Sequence, residues 1–456
     1  SSVSVILLEN RNSVRSLSWI LVLVFLPFAG VFLYLIIGQN YRKQKVISKK
    51  SVRHSAKLPP VELHPEDYSD FVKRSSHLNL IRLLHKNSDA AAYAFNKIEV
   101  LSDGTATFTA MFEAIGAAKS HIHLEFFIFE DDRISNELRK LLIQKAKSGV
   151  RVRMIYDYLG SIGLGRDFLK SLREAGVYVK PFLPLRLRLR RSKINYRNHR
   201  KIVVVDGIYG FTGGLNFADR YLFGNTLGKW RDTFIRFEGA AVHGLQSQFL
   251  TDWFFVERKL ITDSKYYPLP RKFEQNVVQI VSSGPDTDWE SIMQGMAAAI
   301  MSARDYVYIH TPYFVPNDVI LNAITIAALS GIDVRLMIPY RSDSRLSDAC
   351  TFSYMGEILE AGVQVYQYTK GFLHSKAIVV DDFISIVGSA NLDERSFNQN
   401  FEANAFIYDK VTSLKLKSLF LNDINNCRQL SYEDWDNRKR SQKIKESFAR
   451  LFSPII

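Results

Sequence analysis

Cysteine is nearly missing from this chain: Cys350 and Cys427 are the only two in 456 residues, and no Cys-x-x-Cys occurs. A disulfide framework and a thiolate metal site are therefore not implied, and a reducing, cytosol-facing environment fits the bulk of the chain. Acidic residues are also in short supply. Forty-six Asp and Glu stand against 60 Lys and Arg, a formal net charge of +14. That excess calls for an anionic partner, either nucleic acid or an anionic lipid surface. At 47% hydrophobic and 23% charged residues, the composition excludes a disordered chain and a wholly intramembrane one.

Charge is absent from one segment altogether. Residues 19–38 (WILVLVFLPFAGVFLYLIIG) carry no charged residue over 20 positions, close to the ~20 residues that cross a bilayer as a helix. Trp19 and Tyr41 suit the two interfaces, and Pro27 and Gly30 are better tolerated in a span than in a soluble helix. A signal peptide and a buried core helix are the competing readings; no small-residue cleavage site follows, and the run is long for a core helix. Arg42, Lys43, Lys45, Lys49, Lys50 and Arg53 follow it, against Arg11 and Arg15 before it. The positive-inside bias predicts a cytoplasmic location for the large C-terminal part. The apolar residues 3–8 read as the end of an earlier span, paired with this one as a hairpin.

Beyond a basic linker ending near residue 56, helical and strand-like periodicities alternate. Residues 107–120 and 136–148 have helical spacing, while 122–129 and 150–156 read as strands. The order recurs with helices over 291–302 and 318–330 and strands over 306–313 and 332–338. A Pro-rich, poorly periodic stretch at 264–270 looks like a connector. The pattern predicts an α/β fold of two similar lobes, each a mixed sheet flanked by helices. The boundaries expected are 1–56 for the anchor and linker, 57–265 for the first lobe and 266–456 for the second.

The repetition is sharpest at two motifs. Asn198-His199-Arg200-Lys201 leads through an apolar run to Asp206 and on to Gly213-Gly214-Leu215-Asn216. Leu373-His374-Ser375-Lys376 leads likewise to Asp381 and to Gly388-Ser389-Ala390-Asn391. His, Lys, Asp, Gly and Asn all recur at an offset of 175 positions. On a strand, positions i and i+2 share a face, so His199 and Lys201 should project together, as should His374 and Lys376. An imidazole beside an ammonium is a poor core pair but a natural phosphate site. Asn216 and Asn391 follow Gly-containing turns where amides can hold further oxygens, and residues 389–393 resemble a helix start. Asp206 and Asp381 point elsewhere and should secure turns. A catalytic imidazole needs an acceptor on its second nitrogen, and Asp232 and Glu402 are the candidates, at an offset of 170. The bland alternative is two apolar strands with exposed polar ends; the doubled Gly and Asn argue against it.

Leu183 to Arg191 (LPLRLRLRR) alternates Leu with Arg and reads either as a half-buried strand or as a basic rim drawing anionic headgroups toward His199. His121, His123 and His310 lie in strands without partners at metal-ligand spacing, so they read as packing residues. The basic run 437–445 reads as a solvated helix face.

These features resemble the phospholipase D superfamily, whose signature is a doubled His-x-Lys-x4-Asp followed by Gly-[Gly/Ser]-x-Asn. More narrowly, Asn195 to Lys201, Trp230-Arg231-Asp232, Ser283-Gly284-Pro285, Thr311-Pro312-Tyr313 and Leu451 to Pro454 are similar to the bacterial cardiolipin synthases of that superfamily. Tyr196 stands where that family would have Phe. The resemblance implies cofactor-free, metal-independent transfer through a phosphohistidine, with phosphatidylglycerol and anionic membrane lipids as partners. His199 would be the nucleophile and His374 the acid and base. Lys201, Lys376, Asn216 and Asn391 would stabilise the transition state. It also implies the inner membrane of a bacterial cell, with the catalytic part facing the cytoplasm, and leaves a homo-oligomer open. A nuclease of the superfamily, a lipid hydrolase and an inactive scaffold are the competing functions.

Overall fold

The computed structural model describes residues 13–33, 77–184 and 195–453. The basic linker, residues 3–8, Tyr41 and most of the Leu/Arg alternation (185–191) lie outside the described residues.

Two sheets of matching order form the body. In space the first runs Lys97–Leu101, Phe234–Glu238, Tyr209–Gly213, Ile202–Val205, His121–Phe126, Arg151–Asp157, Tyr178–Phe182. The second runs Val277–Ser283, Asn400–Tyr408, Ile384–Gly388, Ala377–Val380, Tyr306–His310, Asp333–Pro339, Gln364–Tyr368, with Ala92–Ala94 and Cys427–Leu430 added at its two edges. Each sheet has three parallel strands at one end and antiparallel neighbours beyond. The mixed α/β, two-lobed architecture is the one the alternating periodicities indicate. The helix Leu78–Ser88 and the Ala92–Ala94 strand, early in the chain, join the second sheet rather than the first.

The central strands read as unbroken apolar runs because both their faces are covered. Ile202, Val203, Val204 and Val205 are all at most 1% exposed. The long helices Ala241–Glu257 and Lys410–Ile424 share the middle apolar layer with both sheets, from Phe249 and Trp253 to Leu416 and Phe420. Separate outer layers cover the far face of each sheet. This shared layer fixes one lobe against the other.

Each motif aspartate closes a turn. Asp206 accepts backbone N–H bonds from Lys119, Ser120 and His121 at 2.7–2.8 Å. Asp381 accepts from Arg304, Asp305 and Tyr306 at 2.6–2.9 Å. Two consecutive left-handed residues make the first turn, Asp206 (φ 55°) and Gly207 (φ 68°). In the second lobe Asp382 (φ 52°) takes the glycine's place, a strained position for a residue with a Cβ.

The apolar N-terminal segment differs from expectation. Instead of one helix over 19–38, helices span Ser13–Phe25 and Pro27–Leu33. Pro27 has no N–H to continue the first helix, and the chain bends so sharply that a Cβ on Gly30 would lie 2.8 Å from the Val22 carbonyl oxygen. Among the described residues no helix is long and apolar enough to cross a membrane; residues 34–38 lie outside them. Phe25 and Phe28 are 77% and 92% exposed.

Candidate active site

Both His-Lys motifs arrive at the interface between the lobes, and neither stays within its own sheet. The expected strand geometry does not extend to the motif residues: regular pairing resumes only at Ile202 and Ala377. Just before the motifs, short strands cross over. Arg197–Asn198 pairs in parallel with Asn400–Phe401 of the second lobe, and Gly371–Leu373 pairs in parallel with Lys229–Arg231 of the first. The crossing continues into the motif, where the His199 N–H donates to the Phe401 carbonyl at 2.9 Å and the His374 N–H to the Arg231 carbonyl at 2.8 Å. Gly371 allows the second crossing, since a Cβ there would sit 2.0 Å from the Lys229 carbonyl oxygen.

The imidazoles are consequently held across the interface. His199 Nδ1 lies 2.9 and 3.0 Å from the two carboxylate oxygens of Glu402. His374 Nδ1 lies 2.6 Å from Asp232 Oδ2. Each histidine takes its carboxylate from the opposite lobe, leaving each Nε2 free of the carboxylates. Both acids are fully buried. Ser389 and Asn400 also donate to Glu402, and Thr233 N–H donates to Asp232.

Lys201 and Lys376 accompany the imidazoles, each donating from Nζ to the carbonyl of its own motif histidine, at 2.7 and 2.6 Å. Asn216 and Asn391 are also here. Asn216 Nδ2 donates to the Tyr221 hydroxyl at 2.7 Å, and its Oδ1 accepts from Ile128 N–H. Asn391 Nδ2 donates to Asp393, while Asn391 Oδ1 is buried without a partner. The helix start expected at 389–393 falls later: Asp393 caps Glu394–Asn398 and takes the Ser396 N–H itself.

The electrostatics separate the two pairs. Burial pulls His199 down to about 4, helped by Lys201 and opposed by Glu402. Burial and the surrounding Lys376 and Lys201 ammoniums drive His374 well below its usual value. Burial pushes Asp232 up to about 7 against the attraction of Lys376. For Glu402 burial acts upward too, but His199 and Lys201 outweigh it and hold the carboxyl below its ordinary value. Lys201 falls well below its usual range and Lys376 to about 8, both through burial. Two buried lysines face two buried carboxyl groups. A phosphodiester anion entering beside the imidazoles would therefore meet hydrogen-bond donors that are already desolvated and positioned.

Of the neighbouring rings, Phe127 and Tyr221 carry no motif signal. Phe127 lies edge-on to His199, with ring centroids 5.1 Å apart. Tyr221 and Trp230 flank His374 at 5.6 and 5.2 Å. Around the first motif, Arg200 pairs with Asp252 at 2.6 Å, Arg197 with Asp157 at 3.4 Å, and Asn198 donates to Glu125. Tyr221 follows Asn216 by five residues, which is the one hint to it. His121 and His123 pack with Gln246 and Tyr266 away from the motifs. His310 packs beside Phe420, with ring centroids 4.8 Å apart. No group of three or more His, Cys, Asp or Glu among the described residues could hold a metal ion.

Comparison with known proteins agrees in fold and family. A family described as cardiolipin synthase, phospholipase D-like domain, matches residues 111–253 and 296–424, and one described as phospholipase D-nuclease N-terminal matches residues 1–39. The cardiolipin synthase 2 of Bacillus cereus is 42% identical over 99% of this chain and 89% of its own. The major cardiolipin synthase of Bacillus subtilis is 42% identical over 100% of this chain and 96% of its own. The crystal structure of a phosphatidylserine synthase from Haemophilus influenzae superposes with a TM-score of 0.64 at 17% identity, over 83% of this chain and 100% of that one. With matches of this extent, the chain belongs to the cardiolipin synthase family of phospholipase D-like proteins.

Proposed function

We propose that this protein is a membrane-bound phosphatidyltransferase that condenses two phosphatidylglycerol molecules into cardiolipin and glycerol through a phosphatidyl-histidine. The observation that carries the reading is the crossed arrangement of the site, in which two imidazoles, each fixed at Nδ1 by a carboxylate of the other lobe, share one buried pair of lysines.

The inequivalence of the two carboxylates supports an assignment of roles. An ionised Glu402 accepts Nδ1–H from His199 and leaves the Nε2 lone pair free to attack phosphorus. Asp232, which retains a proton more readily, makes the His374 pair the proton reserve. His199 Nε2 forms the bond to phosphorus as the glycerol oxygen departs with a proton from His374. A hydroxyl of the second phosphatidylglycerol then gives its proton to His374 and attacks phosphorus, releasing His199. The negative charge of the bound phosphodiester offsets the two lysines and raises His374 into the range where it can be protonated. Lys201, Lys376, Asn216 and Asn391 stabilise the five-coordinate transition state, and the unpartnered Asn391 Oδ1 is available to orient a hydroxyl. Asp206 and Asp381 hold the turns behind the motifs.

On this reading residues 13–33, with Leu17, Val24, Phe25 and Phe28 exposed, belong to the membrane anchor, and the basic residues following it favour the cytoplasmic side for the lobes. The test is incubation of the purified chain with phosphatidylglycerol vesicles. Cardiolipin and glycerol in equal amounts are expected; phosphatidic acid as the main product would make the protein a hydrolase, and DNA cleavage without lipid turnover a nuclease.

A further inference from the structure

A second concentration of positive charge lies outside the histidine pair. Near the C-terminal end of the Asp333–Pro339 strand, a groove of about 910 Å³ opens between the loop after that strand, the Arg345–Ser353 helix and the approach to the Arg440–Arg450 helix. Six cationic side chains line it against three carboxylates. Two of those carboxylates are taken: Asp434 lies 3.3 Å from Arg428 and Glu446 lies 2.7 Å from Arg438. Arg341, Arg345, Lys439 and Lys445 are exposed and form no ion pair among the described residues. Like charges held together at a surface repel one another, so a groove of this kind favours an anion.

The Arg440–Arg450 helix adds a second property. Glu446 and Ala449 are buried against the body, while Ile444, Phe448 and Leu451, spaced i, i+4 and i+7, are 64%, 62% and 73% exposed. Arg440, Lys443 and Lys445 flank this apolar stripe. An apolar face bordered by basic residues is the pattern of a helix that lies in a lipid interface. The loop that contributes Tyr340 and Arg341 to the groove also carries Asp343, which accepts from the Tyr313 hydroxyl at 2.8 Å and acts on the charge of Lys376.

We propose that the groove and the stripe together form a contact with an anionic bilayer surface: Arg341, Arg345, Lys439 and Lys445 take the phosphate of a phospholipid headgroup other than the one at the histidines, and Ile444, Phe448 and Leu451 enter the interface. The inference rests on the membrane-lipid reading above and adds a docking point that seats the site entrance on the substrate's own surface.

Hydrogen–deuterium exchange of the full chain in nanodiscs tests it without turnover. Three arms are compared: phosphatidylcholine alone, phosphatidylcholine with phosphatidylserine, and phosphatidylcholine with free inorganic phosphate. Slowed exchange across residues 438–452 in the phosphatidylserine arm only is expected. That protection is expected to be lost in the R345Q/K439Q/K445Q variant and in F448Q, with unchanged melting temperatures as the control for folding. Protection by free phosphate alone would make this a soluble-anion site and overturn the lipid assignment. Equal exchange in all three arms, or protection that survives the triple variant, would overturn the docking surface. Because exchange is read without product formation, this result stands apart from whether cardiolipin is made.

Discussion

Replacing Glu402 by Gln should disable His199 specifically, although the two residues belong to different lobes. Glu402 is fully buried and its two oxygens lie 2.9 and 3.0 Å from His199 Nδ1. A hydrogen bond to a charged group contributes about 1.5–3 kcal/mol, which corresponds to roughly 10- to 150-fold in rate. The amide adds a further cost, because its NH₂ can donate to Nδ1 and move the ring proton to Nε2, removing the attacking lone pair. A wrong tautomer costs about 10⁴ in a comparable His-carboxylate pair. The expected loss is therefore between about 10² and 10⁴, with folding intact. The assay that isolates the step uses a phosphatidyl donor with a p-nitrophenolate leaving group, which needs no general acid. With it, His374→Ala and Asp232→Asn should recover formation of the phosphatidyl-enzyme, while His199→Ala and Glu402→Gln should not. Recovery in Glu402→Gln, or its absence in Asp232→Asn, would refute the crossed pairing of roles.

Gly371→Ala would force a Cβ against the Lys229 carbonyl oxygen at 2.0 Å; overpacking of this kind costs about 1–3 kcal/mol, and since the strand delivers His374, turnover should fall together with the melting temperature. Asp206→Ala strands three backbone N–H groups at a partly exposed turn, so unfolding in denaturant should show a loss of about 1–2 kcal/mol with near-normal activity per folded molecule. The pH dependence of stability should carry two opposed contributions. His199, held near 4 against an ordinary 6.5, stays neutral in the native state while the unfolded chain takes up a proton, so its contribution is lost as pH falls from 6.5 toward 4. Asp232, raised to about 7, keeps a proton that the unfolded chain releases, so its contribution is present at low pH and lost as pH rises through 7. Melting curves across pH should show His199→Gln flattening the acid limb and Asp232→Asn flattening the neutral one.

How much of this was legible in the sequence depends on the range of the interaction. The repeat of His, Lys, Asp, Gly and Asn at one offset announced two equivalent lobes, because strands buried on both faces force the same apolar run between the same polar ends. The alternating periodicities gave most elements to within a few residues; the strand read over 150–156 is Arg151–Asp157, and the helix read over 318–330 is Asp318–Leu329. Asp232 and Glu402 could be picked as acceptors from chemistry alone. Their exchange between lobes could not, since nothing local records that Arg197–Asn198 pairs with Asn400–Phe401. The placement of Tyr221 and Trp230 beside His374 depends on the other crossing, Gly371–Leu373 against Lys229–Arg231. At the N-terminus hydropathy registered the apolar character, but it is blind to a backbone bend, which Pro27 imposes through its missing N–H.

At the centre stands one phosphorus atom carried by His199 while His374, held from the opposite lobe, moves the protons. Mass spectrometry of the wild-type chain, acid-sensitive adducts being preserved by an alkaline quench during turnover of phosphatidylglycerol, measures this directly. A phosphatidyl group on His199, lost on further incubation with phosphatidylglycerol as cardiolipin appears, is the expected result. An adduct found only on His374, or turnover with no adduct on either ring, would contradict it.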